Sequence, residues 1–267
     1  MTDAPAPDES NLDAPGLDAP GLDALVRRVD NDRWLASRFI TDTVKRDTVV
    51  ALYALSYELA RVGESVTNPL AGEIRLAWWR ERLEGIAGGG EAPGQPVLQA
   101  LVEPLRAGVF APELLDALVE ARHTDLDAEP FADDAALARY LDGTAGAVMG
   151  LAVRVLDPEA PLRAVVEAGR AWGLAGLYRA REFWRARGHD WVPVSWNAPG
   201  EAELASRVRA EVDTALVRAR AELAGVSVAA FPAVAYAALA ASYAHGRQPG
   251  ELQRRGRLLL ATLRGRI

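Results

Sequence analysis

Apolar residues recur along this chain at the 3.6-residue spacing of an amphipathic helix, and the alternation typical of a strand is nowhere sustained. Turn residues interrupt the pattern at intervals typical of helix ends. The pattern is clearest in residues 201–224, where Leu204, Val208 and Val212 share a face opposite Arg and Glu. The predicted helices are 23–39, 43–64, 69–87, 96–107, 112–123, 133–155, 161–187, 201–224, 230–245 and 250–265.

The start of the chain differs from the rest. Residues 1–22 are acidic, rich in Pro and Gly, and repeat the unit Gly-Leu-Asp-Ala-Pro, so they cannot supply a packed core. We therefore predict a disordered tail at 1–22 and one all-α domain at 23–267, since no later segment marks a domain boundary. The tail begins without basic residues, unlike a secretory signal or a mitochondrial transit peptide.

Composition narrows the classes of function. The chain lacks cysteine, which excludes disulfides and thiol chemistry. Its net charge of −7 argues against nucleic-acid binding. No apolar run approaches the ~20 residues of a membrane-spanning helix, and the most apolar stretch, 226–244, contains Pro232 and predicts a buried helix. Lys45 is the only lysine among many alanines and arginines, which favours a GC-rich bacterial genome, and the absence of cysteine fits a reducing compartment.

Two neighbouring predicted helices carry aromatic and charged residues on one face each. The first set is Tyr57, Arg61 and Glu64, and the second is Arg75, Trp78, Trp79 and Arg82. One interpretation is a packed hairpin whose arginines pair with nearby glutamates. The other is the wall of a pocket for an anionic, partly apolar ligand, which Trp and Arg together suit. Both interpretations remain open.

Several segments share their order and spacing with a known family. They are residues 33–39, 45–46, 51–64, 73–80, 123–127, 140–146 and 169–184. Together they resemble the squalene/phytoene synthase family of prenyltransferases over residues 24–245. The segment Glu73-Ile-Arg-Leu-Ala-Trp-Trp-Arg80 is similar to a subgroup that includes a mitochondrial complex I assembly factor. The resemblance implies an all-α, isoprenoid-synthase-like bundle around a central cavity.

In active members of this family, two Asp-x-x-x-Asp segments hold the Mg²⁺ ions that bind an allylic diphosphate. The resemblance places the corresponding positions of this chain at Ala60, Glu64, Ala180 and Trp184. Glu64 is thus the only carboxylate retained, and Arg61 beside it repels a cation. The resemblance therefore implies no catalytic residue, no metal and no cofactor, with Mg²⁺ expected only if transferase activity has survived.

The resemblance also implies a ligand pocket. Tyr53 matches a pocket tyrosine of the family, whereas Tyr57 replaces an arginine and Asp142 replaces a tyrosine near Tyr140. Its arginines would either neutralise a diphosphate or lipid head group without metal, or pair with Glu58, Glu64 and Glu182 and fill a disused site. The implied pocket residues are Tyr53, Tyr57, Arg61, Glu64, Arg75, Trp78, Trp79, Tyr140, Arg179 and Arg181.

Other polar groups receive simpler interpretations. An acidic stripe is predicted to be a solvated face rather than a metal site, because it has one histidine; it comprises Asp116, Glu120, His123 and Asp127. His189-Asp190 lacks a nucleophile and is interpreted as structural. The basic, leucine-rich segment 250–265 predicts a final packing helix or, as the alternative, a contact with an anionic membrane surface.

These residues lead to two hypotheses for function. The first is a catalytically degenerate family member that acts as an assembly factor for respiratory complex I, with a complex I subunit or assembly intermediate as partner. The alternative is a transferase or binding protein for prenyl or lipid diphosphates in isoprenoid biosynthesis. Both predict a cytoplasmic protein, with any membrane contact at the inner face, and no nucleic-acid partner.

Overall fold

The computed structural model describes residues 19–66 and 68–267, and within them the chain is all-α with no strand. The helices are α1 (Ala19–Val29), α2 (Asn31–Ser37), α3 (Thr43–Ser65), α4 (Pro69–Ala87), α5 (Pro96–Arg106), α6 (Pro112–Ala121), α7 (Asp134–Leu141), α8 (Ala147–Leu156), α9 (Val166–Arg185), α10 (Glu201–Glu222), α11 (Ala240–Ala244) and α12 (Glu251–Arg264). The prediction of an all-α protein is confirmed.

The predicted helix 23–39 is two helices. α1 begins at Ala19 and ends at Val29, and α2 begins after Asp30, whose carboxylate accepts a hydrogen bond of 3.1 Å from the backbone N–H of Arg33. That side-chain cap satisfies a free donor at the start of α2 and turns the chain. The predicted tail, 1–22, lies outside the described residues except for its last four, which open α1. The single domain at 23–267 stays a prediction.

The predicted helix 230–245 is wrong for most of its length. The chain forms 3₁₀ turns at Phe231–Ala233 and Ala235–Leu239, and only Ala240–Ala244 is α-helical. Pro232 occupies the second position of the first 3₁₀ turn, where a helix tolerates its missing N–H, so it does not account for the second 3₁₀ turn that follows. The segment is nevertheless buried, as predicted: Phe231 and Tyr236 are fully inaccessible.

α3 runs through the core. Its residues 49–55 are all buried, which is typical of a helix that is apolar all round. α3 packs against α1, α5 and α8, while α9 packs against α10 and α11. None of the helices in the described ranges has the length and apolar character needed to cross a bilayer.

A π-helical turn at Asp142–Gly146 joins α7 to α8 and contacts α9 closely. A Cβ atom added at Gly169 of α9 would lie 2.7 Å from the Cα of Gly146, so this approach requires glycine. The close contact places the guanidinium of Arg170 against the carboxylate of Asp142, with two hydrogen bonds of 2.7 Å each. A bidentate pair of this kind fixes the orientation of α9 against the turn.

Candidate functional site

The first degenerate segment lies at the end of α3. Arg61 is exposed, pairs with Glu58 at 3.3 Å, and stacks its guanidinium 5.5 Å from the ring centre of Tyr57. Ala60, which the resemblance assigns to the family's first aspartate position, has no side-chain atom that could bind a metal. The helix end therefore presents a positive charge and an aromatic ring where the family has a metal ligand.

Glu64 is the carboxylate retained in the two degenerate segments. Partial desolvation raises its pKa above the ordinary value, and the opposing effects of Arg187 and Arg61 do not cancel the shift. Asp125 adds to the increase, because α3 contacts this residue closely: a Cβ atom at Gly63 would lie 2.8 Å from the Asp125 carbonyl oxygen. A raised pKa makes a carboxylate a poorer metal ligand, since metal binding requires the ionised form.

The second degenerate segment ends α9. Trp184, which the resemblance assigns to the family's last aspartate position, is half-buried, and its ring centre lies 5.7 Å from that of His189. Trp184 and Asp125 line the same cleft, so the two degenerate segments come together around Asp125. Arg122 pairs with Asp125 at 2.9 Å, and the hydroxyl of Tyr140 donates to Asp125 at 2.7 Å.

Arg122 and Asp125 were not among the predicted site residues, although Asp125 lies within the quoted segment 123–127 and Arg122 directly precedes it. The signal in the sequence was the i, i+3 spacing of Arg122 and Asp125, which is typical of an ion pair on one helix face. Here Arg122 supplies a positive charge beside a carboxylate, and the Tyr140 hydroxyl is held in its neutral form because burial and then Asp125 raise its pKa.

The arginines of α9 point in different directions. Arg181 is buried and its Nη1 lies 2.6 Å from both carboxylate oxygens of Glu201 at the start of α10. Arg179 is exposed and stacks its guanidinium 4.0 Å from the ring centre of Tyr243. The structure thus does not bring Arg181 beside Arg61.

The second predicted set, on α4, is divided between the core and the surface of the protein. Trp79 is buried in the core and meets the edge of half-buried Trp78 at 5.1 Å between ring centres. Arg75 is exposed and its closest polar contact is the Ser65 hydroxyl at 3.5 Å. Arg82 lies 5.8 Å from the ring centre of Trp78. These contacts favour the packed hairpin over a continuous pocket wall.

The acidic stripe is partly neutralised rather than simply solvated. Arg80 pairs with Asp116 at 2.8 Å and with Glu120 at 2.7 Å. The predicted helix 112–123 ends as α6 at Ala121, and a 3₁₀ segment, Arg122–Leu126, follows. His123, in the 3₁₀ segment, still lies near Glu120, whose pKa is lowered first by the Arg80 hydrogen bond and also by His123.

Between α3 and α9 the interior is filled by rings. Tyr236 packs edge-on against Tyr53 of α3 at 6.3 Å and against Trp172 of α9 at 5.0 Å. The guanidinium of Arg33 lies 5.4 Å from the ring centre of Tyr53 and 5.2 Å from that of Tyr236. Tyr53 is thus in the interior, as the resemblance implied, but its ring is covered.

Arg33 was missed as an interior residue by sequence reasoning. It is 9% exposed and pairs with Asp30 at 3.3 Å. Burial lowers the pKa of Arg33, but Tyr236, Asp30 and Tyr53 outweigh that effect and keep the guanidinium charged. Burial also raises the pKa of Asp30, and Arg33 only partly opposes this shift.

A magnesium cluster does not fit these side chains. The four family positions offer one carboxylate, and arginines 61, 122 and 187 surround it. In residues 19–66 and 68–267 no group of three or more His, Asp or Glu side chains is arranged to hold a metal ion. Several hydrated dications require several hard oxygen ligands, which this site does not supply.

The fold and the paired helix ends define the chain as an isoprenoid-synthase-like bundle with altered aspartate segments. The chain belongs to the squalene/phytoene synthase family, whose family model matches residues 26–261.

Two groups of proteins are similar to it. Complex I assembly factor 6 of NADH dehydrogenase (ubiquinone) is 27% identical in Homo sapiens and 26% identical in Mus musculus, each over 173 residues. The match covers 64% of this chain and 51% of each relative, so the chain spans about half their length.

Solved structures show the same fold. A dehydrosqualene synthase in complex with ligand aligns with a TM-score of 0.77 at 13% identity, covering 92% of this chain and 95% of that one. Squalene synthase HpnC from Alicyclobacillus acidocaldarius aligns with a TM-score of 0.67 at 16% identity, covering 92% and 94%. The predicted fold class and family are confirmed.

Proposed function

We propose that this protein is a non-enzymatic assembly factor for respiratory complex I. The observation that carries the proposal is the loss of three of the four metal-binding carboxylates in a chain similar to complex I assembly factor 6. The family's fold is kept while the groups that bind Mg²⁺ and diphosphate are replaced. A protein that keeps the fold without these groups is expected to act by binding partners at its surface rather than by catalysing a reaction.

The electrostatics of the site support the loss of catalysis. Ionising an allylic diphosphate needs cations held by carboxylates next to the substrate. Here Glu64 is the one carboxylate at the four positions, its pKa is raised, and Arg61 and Arg187 lie near it. Tyr236 packs between Tyr53 of α3 and Trp172 of α9, with the Arg33 guanidinium against its ring, so these side chains occupy the interior at this point.

The alternative is that the protein binds or transfers prenyl or lipid diphosphates, with Mg²⁺ as cofactor in the case of transfer. Arg61, Arg75 and Arg179 are exposed and favour an anionic ligand. The fold shared with a dehydrosqualene synthase also favours it. The distribution of these arginines argues against it, since Arg179 stacks on Tyr243 and Arg75 contacts Ser65.

We further propose that the protein works at the inner face of a membrane through α12. The buried residues of this helix are Leu258, Ala261 and Thr262. In contrast, Leu252 is 84% exposed and Leu263 is 68% exposed. Its exposed residues also include arginines 255, 257 and 264, of which Arg255 pairs with Glu251 and Arg257 donates to the Ser242 hydroxyl. Exposed leucines beside arginines are typical of a helix that lies on an anionic bilayer.

Deleting the gene tests the assembly proposal. We expect the deletion strain to lose complex I abundance on native gels and NADH:quinone oxidoreductase activity, and we expect the intact gene to restore both. The membrane proposal is tested in the same strain with Leu252→Glu plus Leu263→Glu, against Val217→Glu, which changes an apolar residue on α10 that is 63% exposed. Unchanged complex I in the deletion strain would refute the assembly proposal.

A further inference from the structure

An open groove lies between α2 and α12, and none of the residues implied for the family's ligand pocket lines it. We call it the α2–α12 groove. Its volume of about 510 Å³ lies within the roughly 300–1,000 Å³ of small-molecule sites. Its lining is apolar apart from two arginines, with Trp34, Leu35 and Phe39 on one side and Leu252, Gly256 and Leu259 on the other.

On its groove side, α12 presents an apolar face to solvent. Leu252, Gly256, Leu259 and Leu263 follow one another at i, i+4, i+7 and i+11, so they share one face of the helix. All four are exposed, so the packing of the described chain leaves this face uncovered. The groove is the part of the face that α2 borders, and the exposed leucines continue it along the surface.

Gly256 keeps the groove open. It lies inside α12, where glycine is less favourable than alanine. A Cβ atom added at Gly256 would have nothing within 4 Å, so packing within the described residues does not require glycine at this position. Because Gly256 lines the groove, a larger side chain would fill part of it. The glycine therefore leaves space that a ligand can occupy.

Positive charge collects around Trp34, which lines the groove. The guanidinium groups of Arg27 and Arg38 each lie 4.9 Å from its ring centre. Asp23 balances one of these charges, because it pairs with Arg38 at 2.8 Å and also accepts from the Trp34 indole N–H at 2.9 Å. In contrast, no salt bridge within residues 19–66 and 68–267 reaches Arg27. One positive charge beside the groove is thus uncompensated, which favours an anionic ligand.

The other charged groups at the groove do not alter this balance. Arg38 and Arg255 line it, and Arg255 pairs with Glu251. The excess is therefore that of Arg27. Trp34 has its indole N–H bound and its ring half-buried, an arrangement that suits the boundary between an apolar chain and a polar head group.

We propose that the α2–α12 groove binds one acyl chain of an anionic phospholipid, whose phosphate lies beside Arg27. The apolar walls match the chain, and the uncompensated guanidinium matches the phosphate. A second copy of the protein fits less well, since a two-fold contact would bring the same positive excess against itself. The inference rests on the membrane contact proposed for α12 and names the lipid site within it.

Binding of single lipid molecules tests the groove without a bilayer. The full-length protein is titrated with dihexanoyl phosphatidylglycerol below its micelle-forming concentration, and the indole N–H signal of Trp34, assigned with Trp34→Phe, reports binding by NMR. We expect saturable binding about fivefold tighter than that of dihexanoyl phosphatidylcholine. We expect no saturation with glycerol phosphate, which lacks the chains. Equal affinity for the two lipids, saturation with glycerol phosphate, or no saturation with either lipid would overturn the proposal.

Filling the groove locates the site. Gly256→Trp keeps α12 apolar but occupies the groove, so it should weaken phosphatidylglycerol monomers at least about tenfold. Gly176→Trp on α9 is the matched control, because Gly176 is also exposed and a Cβ there also has nothing within 4 Å. The control should bind within about twofold of wild type. If the two variants bind the lipid alike, the groove is not the site.

A matched pair of arginines tests the position of the phosphate. Arg27→Gln should weaken phosphatidylglycerol about fivefold and leave phosphatidylcholine unchanged. Arg139→Gln removes the same charge from an exposed position on α7 that has no salt bridge in the described chain, and should leave both lipids unchanged. If both variants weaken phosphatidylglycerol equally, the effect is one of net charge and the assignment to Arg27 is wrong.

A second copy of the chain is the other occupant to test. Sedimentation velocity at the concentration used for NMR should show a monomer for both the wild type and Gly256→Trp. A wild-type dimer that Gly256→Trp dissociates would overturn the assignment to a lipid.

Vesicle flotation separates this proposal from the membrane contact on which it rests. With vesicles that contain phosphatidylglycerol, we expect Gly256→Trp to float like the wild type, because its α12 remains apolar. A wild type that binds lipid monomers but does not float would refute the membrane contact and support the lipid site in the groove. A wild type that floats but does not bind monomers would refute the groove alone.

Discussion

Removing the buried charge of Arg33 should destabilise the fold strongly. In Arg33→Met the side chain keeps most of its volume, but Asp30 loses its ion pair and two tyrosine rings lose their cation. Breaking a buried pair costs about 3–5 kcal/mol, and each cation–π contact adds about 0.5–1 kcal/mol. The Asp30 side chain is still 27% exposed, which places the total near the lower end of the sum, at about 4–5 kcal/mol.

Adding Asp30→Asn should restore part of that loss. Asn still caps α2, so the double variant removes the unpaired charge without removing the cap. Burial has already raised the pKa of Asp30, and losing Arg33 raises it further. Folding then favours the protonated form, so the cost of Arg33→Met should grow as the pH rises from about 5 to about 7.5.

Urea unfolding followed by circular dichroism measures these free energies of unfolding. Wild type, both single variants and the double variant are compared at both pH values, which gives the coupling between the two side chains. A loss below about 1 kcal/mol in Arg33→Met, or no recovery in the double variant, would refute the role assigned to Arg33.

Three further outcomes are expected. Gly169→Ala should lose about 1–3 kcal/mol of stability, measured by thermal unfolding, because its Cβ meets the backbone of Gly146. Gly176→Ala is the control on the same helix: a Cβ there has nothing within 4 Å, so this variant should be neutral or more stable. Arg181 lowers the pKa of Glu201, so the stability this pair provides is present above pH ~4.5 and is lost as the pH falls through the lowered pKa. Glu201→Gln should therefore reduce the loss of stability at acid pH. Glu203→Gln, at a residue that has no ion pair in the described residues, should leave that loss unchanged. Vesicles containing anionic lipid should bind the wild type, and Leu252→Glu with Leu263→Glu should abolish binding in a flotation assay that Val217→Glu leaves unchanged.

The helical pattern predicted most of the fold because apolar spacing follows burial directly. α3 and α10 lie close to their predicted limits. The pattern failed at 230–245, since a buried, alanine-rich segment fits both an α-helix and a chain of 3₁₀ turns, and apolar spacing alone does not distinguish them. It also missed the break at Asp30, where a single side-chain cap separates α1 from α2.

The candidate site was only partly predictable. Family spacing located Glu64 and Trp184, but spacing cannot show which neighbours reach them through space. Asp125 approaches α3 because of the 3₁₀ segment after α6, and Arg181 turns to Glu201 because α10 packs against α9. Arg33 resembles a surface residue in the sequence, and only packing places its charge between Tyr53 and Tyr236.

The most direct test of the lost chemistry is diphosphate release by the purified protein, supplied with Mg²⁺ and farnesyl or geranylgeranyl diphosphate. An active dehydrosqualene synthase serves as the positive control, and heat-inactivated protein as the blank. We expect wild type and Glu64→Ala to match the blank under conditions in which the control turns over. Mg²⁺-dependent release by the wild type that disappears in Glu64→Ala would contradict the non-enzymatic role and establish the transferase alternative.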